Sequence, residues 1–242
     1  MCGRFTLTVP DAEDVAEALG AFLPPEIAAA YRPRFNIAPT DGHLVARVKD
    51  GRRELAAATW GFLPHWAKDA KEAAKAINAR SESVRSKPTF RDACARGRCL
   101  VPADGFYEWT GEKKARRPIW YHPPGGGVVT FAGLYGAWTN PATGARERTF
   151  TILTTAANDV VSPVHDRMPA LIAPDDAATW LGADADAAFA LLHPAPDTAL
   201  EPKPVSRRVN AVANDDPSLL EPDPEDAGAT GAQATLPLFG RS

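Results

Sequence analysis

The stretch HLVARVKDGRRELAAATW, residues 43–60, decides the fold. Two strand-like runs flank Asp50-Gly51, a dipeptide whose residues tolerate the positive φ angles that a two-residue hairpin turn requires. No other short segment of the chain carries a hairpin signal of this strength. The pattern therefore predicts two antiparallel strands joined by a tight turn.

Further strand-like runs follow, and turn-rich pieces rather than regular helical crossovers separate them. The runs are RCLVPA (98–103), PIWYH (118–122), VVTFAGLYGAW (128–138) and RTFTILTT (148–155). Helical spacing is found at 11–23, 25–31, 70–77, 174–181 and 184–192. We therefore expect an α+β protein, a single domain with a mainly antiparallel, barrel-like β core flanked by helices.

The composition is typical of a globular protein: of 242 residues, 45% are hydrophobic and 24% are charged. The chain has no apolar run of about 18 residues and no apolar N-terminal signal, which favours a cytoplasmic protein without a membrane partner. The net charge is −3, and residues 215–242 alone carry −5, which leaves +2 for residues 1–214. These shifts in composition predict a folded domain over 1–214 and a flexible acidic tail over 215–242.

The three cysteines are too few for a disulfide scaffold and fit a reducing compartment. CARGRC (94–99) has four residues between its cysteines and no histidine nearby, so it does not predict a metal site. Cys94 and Cys99 are interpreted as buried thiols.

Cys2 has two possible chemical identities. If Met1 stays, Cys2 is an ordinary thiol near the chain end. If Met1 is removed, Cys2 carries a free α-amine and a thiol on adjacent carbons. The residues themselves leave this choice open.

Polar and aromatic residues concentrate in a few segments outside the predicted helices, as is common for sites on loops. With MCGRF, these are RFNIAPT (34–40), WGFLPHWAKD (60–69), INARSESV (77–84), LVPADGFYEW (100–109) and VHDRMPALI (164–172). Together they resemble the SOS response-associated peptidase (SRAP) family of abasic-site-processing proteins, from Cys2 to about VSRRVN (205–210). The resemblance implies a mixed α+β domain over 1–214 and covalent capture of abasic sites in single-stranded DNA, with no metal or organic cofactor.

The implied activity suits an N-terminal cysteine. An abasic deoxyribose exists partly as a ring-opened aldehyde, and an α-amine with a pKa of about 7.7 to 8.0 forms Schiff bases near neutral pH. The neighbouring thiol then closes a five-membered thiazolidine. The family is thought to expose Cys2 by losing Met1, through an autopeptidase-type step or a host aminopeptidase.

The resemblance also implies roles for further catalytic residues. Glu108 assists opening of the sugar ring and proton transfer, which requires an elevated pKa that apolar neighbours can supply. His165 shuttles a proton or holds the opened sugar, and Asn78 positions the sugar or the amine. The alternatives are a solvent-facing strand carboxylate, a packed histidine and a turn asparagine.

The implied DNA contacts fall into two groups. Arg4, Arg80 and Arg167 resemble phosphate-binding arginines, whose contacts position a strand without reading its bases. Pro39, Trp66 and Trp109 resemble an apolar shelf on which flanking bases stack. Ordinary surface charges and core tryptophans are the alternatives.

The remaining partner predictions concern the whole chain. TLPLFG, within residues 233–240, resembles the short peptides that dock bacterial repair proteins on the sliding clamp; packing on its own domain is the alternative. We expect a monomer that is nucleoid-associated through its single-stranded DNA partner. Two rival functions remain: a thiol peptidase, and a non-covalent single-stranded DNA binding module.

Overall fold

The computed structural model describes residues 3–112, 115–182 and 184–223, which form twelve strands and five short α-helices. The strands are β1 (Phe5–Leu7), β2 (Arg34–Ile37), β3 (Gly42–Lys49), β4 (Arg52–Trp60), β5 (Asn78–Arg80), β6 (Arg98–Ala103), β7 (Gly105–Thr110), β8 (Arg117–His122), β9 (Val129–Thr139), β10 (Arg146–Ala156), β11 (Arg167–Pro169) and β12 (Glu201–Pro204). The α-helices are α1 (Ala12–Ala18), α2 (Pro25–Ala30), α3 (Arg91–Arg96), α4 (Ala177–Gly182) and α5 (Ala185–Ala190). Within the described residues, no helix is long and apolar enough to cross a membrane.

The predicted hairpin is confirmed. β3 and β4 pair antiparallel from Gly42 opposite Thr59 to Lys49 opposite Arg52. The turn residues Asp50 and Gly51 have φ angles of +50° and +78°. Both central residues are thus in the conformation of the two-residue turn whose twist matches that of the strands.

A closed five-stranded barrel forms the centre of the protein, with the strand order β10-β4-β3-β6-β9 and a final pairing of β9 with β10. All of its pairings are antiparallel except that of β10 with β4, which is parallel. β5 continues the parallel edge of β10, and β11 pairs antiparallel with the end of β10. The predicted barrel-like α+β domain is confirmed, and the parallel pairings are additional.

A second sheet, in the order β12-β8-β7-β1-β2, packs beside the barrel. Phe5 of β1 is fully buried and joins the two parts, since its ring lies 5.0 Å from that of Trp60 and 6.0 Å from that of Phe131. The first described residues of the chain are therefore held by an aromatic core rather than by local structure.

The segment predicted as a helix over 70–77 is a 3-10 helix over Ala70–Lys75. It ends because the carbonyl of Ile77 accepts hydrogen bonds from the indole of Trp60 at 2.8 Å and from the backbone of Ile152 at 3.1 Å. These contacts pull the chain into β5, so tertiary hydrogen bonds override the local helical spacing.

The predicted start of the tail at residue 215 is wrong for residues 215–223. Asp215 accepts hydrogen bonds from the backbone of Phe35 at 2.6 Å and of Asn36 at 3.0 Å, and Leu219 is fully buried. Asp223 accepts from Ser206 at 2.9 Å. Acidic composition suggested solvation, but these carboxylates bind donors of the folded body; residues 224–242 lie outside the described ranges.

Candidate active site

A cleft of about 510 Å³ opens beside the paired strands β1 and β7. Gly3 and Arg4, just before β1, line it together with Glu108 and Trp109 of β7. Pairing extends beyond the strand, because the backbone N–H of Tyr107 donates to the carbonyl of Arg4 at 3.0 Å. Cys2 itself lies outside the described residues, but the residue that follows it belongs to the cleft.

Glu108 is a buried carboxyl, with 4% of its surface exposed. It sits in the middle of β7, opposite Ile119 of β8, and the preceding Phe106 and Tyr107 are fully buried. Burial raises the pKa of Glu108 to about 7. The expected elevation of this pKa is confirmed, and a carboxyl with such a pKa exchanges protons readily at neutral pH.

His165 lines the same cleft, on the loop before β11. Its Nδ1 lies 2.9 Å from the backbone N–H of Arg167, from which it accepts a hydrogen bond, and 3.0 Å from Oδ1 of Asp166. Burial lowers the pKa of His165, so the imidazole is neutral at pH 7. The ring therefore offers an N–H donor rather than a fixed positive charge.

Arg4 and Trp109 form one wall of the cleft. The guanidinium carbon of Arg4 lies 6.0 Å from the centre of the Trp109 ring, and Nη1 donates to Asn36 Oδ1 at 2.8 Å and to the Val209 carbonyl at 3.0 Å. The indole N–H of Trp109 donates to Asn210 Oδ1 at 2.7 Å. Both predicted DNA-binding residues are thus oriented by the segment that follows β12.

Asn78 and Arg80 lie on β5, which pairs with β10, and neither is among the residues that line the cleft. β10 holds β5 on one edge and β11 on the other, with Thr154 opposite both Arg80 and Pro169. Asn78 is half-buried, whereas Arg80 is exposed.

The predicted phosphate-binding role of Arg167 stays a prediction, and in this structure its guanidinium is paired within the protein. Its guanidinium donates to both carboxylate oxygens of Glu82, at 2.6 and 3.0 Å, and to the Thr154 carbonyl at 2.6 Å. Arg167 is also only 8% exposed. These charge-assisted hydrogen bonds join Arg167 of β11 to β10 and to the segment after β5.

Pro39 and Trp66 do not line the cleft. Pro39 is half-buried in the loop between β2 and β3, and Trp66 is 52% exposed beside a groove with Pro64 and Pro88. Trp66 is thus available for stacking, on a surface distinct from the cleft. Cys94 and Cys99 are free and buried, as predicted.

Two further cleft residues, Arg116 and Asn210, were not predicted. Arg116 belongs to the basic segment GEKKARR (111–117), and this charge run was the only signal for it. Asn210 acts through long-range contacts that leave no pattern in the sequence. Within the described ranges, no group of three or more His, Cys, Asp or Glu side chains is placed to hold a metal ion.

The fold and the cleft define a β-barrel protein whose cleft combines a carboxyl with a pKa of about 7 and an imidazole with cationic and aromatic side chains. The chain belongs to the SOS response associated peptidase (SRAP) family, whose family model matches residues 1–212.

Similar proteins include abasic site processing protein YoqW of Bacillus subtilis (strain 168). It is 37% identical over 228 residues, which cover 91% of this chain and 99% of the relative. Abasic site processing protein HMCES of Gallus gallus is 32% identical over 226 residues, covering 79% of this chain and 67% of the relative. A solved structure from Bacteroides thetaiotaomicron superposes with a TM-score of 0.82 at 22% identity, covering 92% of this chain and all of the other. One from Bordetella bronchiseptica gives 0.71 at 27% identity, covering 85% of this chain and all of the other.

Proposed function

We propose that the protein processes abasic sites in single-stranded DNA by forming a covalent crosslink to them through Cys2, after Met1 is removed. The observation that carries the proposal is the cleft itself: Gly3, the residue after Cys2, lines it together with Glu108, whose pKa is about 7. The relatives named as abasic site processing proteins support the same substrate.

In the first step, the α-amine of Cys2 attacks the aldehyde carbon of the opened sugar. A C–N bond forms, the carbonyl oxygen leaves as water, and an imine results. Glu108, close to half-protonated at neutral pH, donates a proton to the departing oxygen and accepts one as the sugar ring opens. His165 provides its Nε2–H to an oxygen of the opened sugar.

In the second step, the Cys2 thiol adds to the imine carbon. An S–C bond forms, the C=N bond becomes single, and the thiol proton passes to the nitrogen. The product is a thiazolidine, reached through lyase-like Schiff-base chemistry without a cofactor. Because the former aldehyde carbon is now a member of this ring, the site is protected from strand cleavage, which is a role in the DNA damage (SOS) response.

Binding of the strand relies on the remaining residues of the site. Arg4 and the exposed Arg80 contact phosphates, and Asn78 positions the sugar. Trp109, Trp66 and Pro39 supply apolar surface for flanking bases. Arg167 is the third proposed phosphate contact, and its backbone N–H also donates to Nδ1 of His165.

The test is a denaturing gel of the protein incubated with an abasic oligonucleotide. Cys2→Ala abolishes the crosslinked band, and Glu108→Gln slows its appearance by about 10²-fold or more because general acid–base catalysis is lost. The matched control is Glu26→Gln, an exposed carboxyl on α2, which reacts at the wild-type rate. A crosslink that persists in Cys2→Ala rejects the mechanism.

The two rival functions predict different results for the same purified protein. A thiol peptidase cleaves members of a peptide library, whereas the crosslinker cleaves nothing beyond its own Met1. A non-covalent binding module has equal affinity for intact and abasic strands and yields no covalent product.

Sliding-clamp docking through residues 233–240 is a separate proposal, and these residues lie outside the described ranges. A pull-down with purified clamp tests it: the full chain is retained, and a chain ending at Asp226 is not. Equal retention of both chains removes the proposal. Size-exclusion chromatography with light scattering tests the expected monomer.

A further inference from the structure

We propose that Arg116, in the turn residues 115–116 that lead into β8, binds a phosphate of the captured strand. The inference rests on the proposed function, because the ligand is the single-stranded DNA that enters the cleft. None of the family motifs includes this turn. Its charge and its position together support the assignment.

The position follows from the strands that the turn connects. β7 contributes Glu108 and Trp109 to the cleft, and its last residue, Thr110, pairs with Arg117 at the start of β8. Thr110 is therefore the only β7 residue beyond the cleft wall, and Arg116 is the last residue before β8. Arg116 lines the cleft and its side chain is exposed, so it stands where a strand enters or leaves.

The side chain of Asn210 connects Arg116 to Trp109, the proposed base-stacking residue. Asn210 accepts the indole N–H of Trp109 at 2.7 Å, and its Nδ2 donates to the carbonyl of Arg116 at 3.4 Å. Asn210 is itself held in place, because the neighbouring Val209 is fully buried. A base on Trp109 and a phosphate on Arg116 would thus bind at a fixed separation, which lowers the entropy cost of binding.

Two arginines of the segment after β12 are already paired with carboxylates. Arg207 pairs with Asp223 at 2.6 Å, and Arg208 pairs with Asp216 at 2.9 Å. Arg116, in contrast, forms no ion pair with any residue that the structure describes. Among these exposed cations, it is the one whose charge remains available for a phosphate.

The net charge of the folded protein does not attract single-stranded DNA. The +2 of residues 1–214 and the four carboxylates of Asp215, Asp216, Glu221 and Asp223 leave a charge of −2 on residues 1–223. Binding of a polyanion therefore depends on local cations at the cleft rather than on the field of the whole body. Each phosphate that such a cation neutralises makes single-strand binding more dependent on salt, by about 0.7 in the logarithmic slope.

The experiment measures non-covalent affinity for an undamaged single-stranded oligonucleotide across a salt series, with all variants carrying Cys2→Ala. Arg116→Gln weakens binding by about 3- to 10-fold at low salt and makes the slope less steep by about 0.7. Arg116→Lys keeps most of the slope because it keeps the charge. An unchanged slope in Arg116→Gln overturns the inference.

Arg146→Gln is the matched control. Arg146 is exposed at the first residue of β10, whereas Ala156, the last residue of that strand, pairs with Arg167 near His165. Eleven residues of strand separate the two ends by roughly 33 Å, so this variant keeps the wild-type slope. A loss of slope equal to that of Arg116→Gln would contradict a localised phosphate site.

Two readouts separate this inference from the proposed function. Without Cys2→Ala, the protein is also tested for a crosslink to an abasic strand. A missing crosslink with a salt slope that depends on Arg116 rejects the covalent mechanism alone. A normal crosslink with an unchanged slope rejects the phosphate site alone.

Discussion

Burial changes the acidity of the Glu108 side chain. A glutamate at an exposed strand position has a pKa near 4.3, whereas at 4% exposure on β7 its pKa is raised to about 7. A change of this size favours the protonated form in the folded protein. The same burial that suits proton transfer therefore lowers the stability of the fold at higher pH.

Stability is expected to depend on pH through Glu108. Because its pKa is raised on folding, its stabilising contribution is complete below about pH 4.5 and is lost as the pH rises through about 7. Between pH 5 and pH 8, the wild type should lose about 1 to 3 kcal/mol of unfolding free energy relative to Glu108→Gln. Denaturant unfolding of both proteins at the two pH values measures the difference, and parallel pH profiles would contradict the raised pKa.

β1 is only three residues long, and side-chain hydrogen bonds hold it in addition to its sheet partners. Asp104 accepts hydrogen bonds from the hydroxyl of Thr6 at 2.5 Å and from both the backbone N–H and the hydroxyl of Thr8 at 2.5 Å. Asp104 is 6% exposed, so these bonds are shielded from water. This carboxylate fixes the strand that leads directly into the cleft.

Asp104→Ala should lower the unfolding free energy by about 2 to 4 kcal/mol, because the buried hydroxyl of Thr6 and the half-buried donors of Thr8 lose a charged acceptor. The crosslinking rate should also fall, since the start of the chain is less well positioned. Asp11→Ala is the control: Asp11 precedes α1 but makes no side-chain capping bond, so its loss changes stability by less than about 0.5 kcal/mol. Chemical denaturation and the gel assay measure both effects; equal stability of the two variants would contradict the role of Asp104.

The segment after β12 is part of the fold, although its acidic composition is typical of a flexible tail. Asp215→Ala should cost about 2 to 4 kcal/mol, because it removes the acceptor of two backbone N–H groups and of Arg34. Glu221→Ala, at an exposed position of the same segment, should change the unfolding free energy by less than about 0.5 kcal/mol. If the two variants unfold alike, residues 215–223 do not contribute to the fold as described.

In the proposed mechanism, the packing of the whole molecule positions the start of the chain. Phe5 is packed in the aromatic core and Gly3 lines the cleft, so at most a few residues separate Cys2 from fixed positions. Only the first residue of a chain has a free α-amine. An extension before Cys2 should therefore block the reaction without disturbing the core.

A fusion peptide placed before Cys2 is expected to abolish the abasic crosslink and to leave the melting temperature unchanged. Removal of the peptide by a protease that leaves Cys2 as the first residue should restore the crosslink. The gel assay and thermal unfolding, before and after cleavage, test this. A crosslink formed by the uncleaved fusion would contradict the role of the α-amine.

Local sequence signals predicted the parts of the fold that depend on local conformation. Asp50-Gly51 specifies a turn with positive φ angles, and the flanking strands follow from it. The parallel contacts of β10 with β4 and β5 were not predicted, because they join segments about 70 to 90 residues apart and leave no local pattern. For the same reason, the helical spacing at 70–77 was a poor guide to the chain that enters β5.

The sequence contains the reactive groups of the site, with a cysteine in second place and the carboxyl and imidazole in their motifs, since residue identity fixes which groups exist. Tertiary structure decides which of them are available. Glu82, 85 residues away in the chain, pairs with Arg167. Burial raises the pKa of Glu108 to about 7. Arg116 remains exposed beside Trp109. Ion pairing and desolvation depend on neighbours in space, and the sheets bring those neighbours from distant parts of the chain.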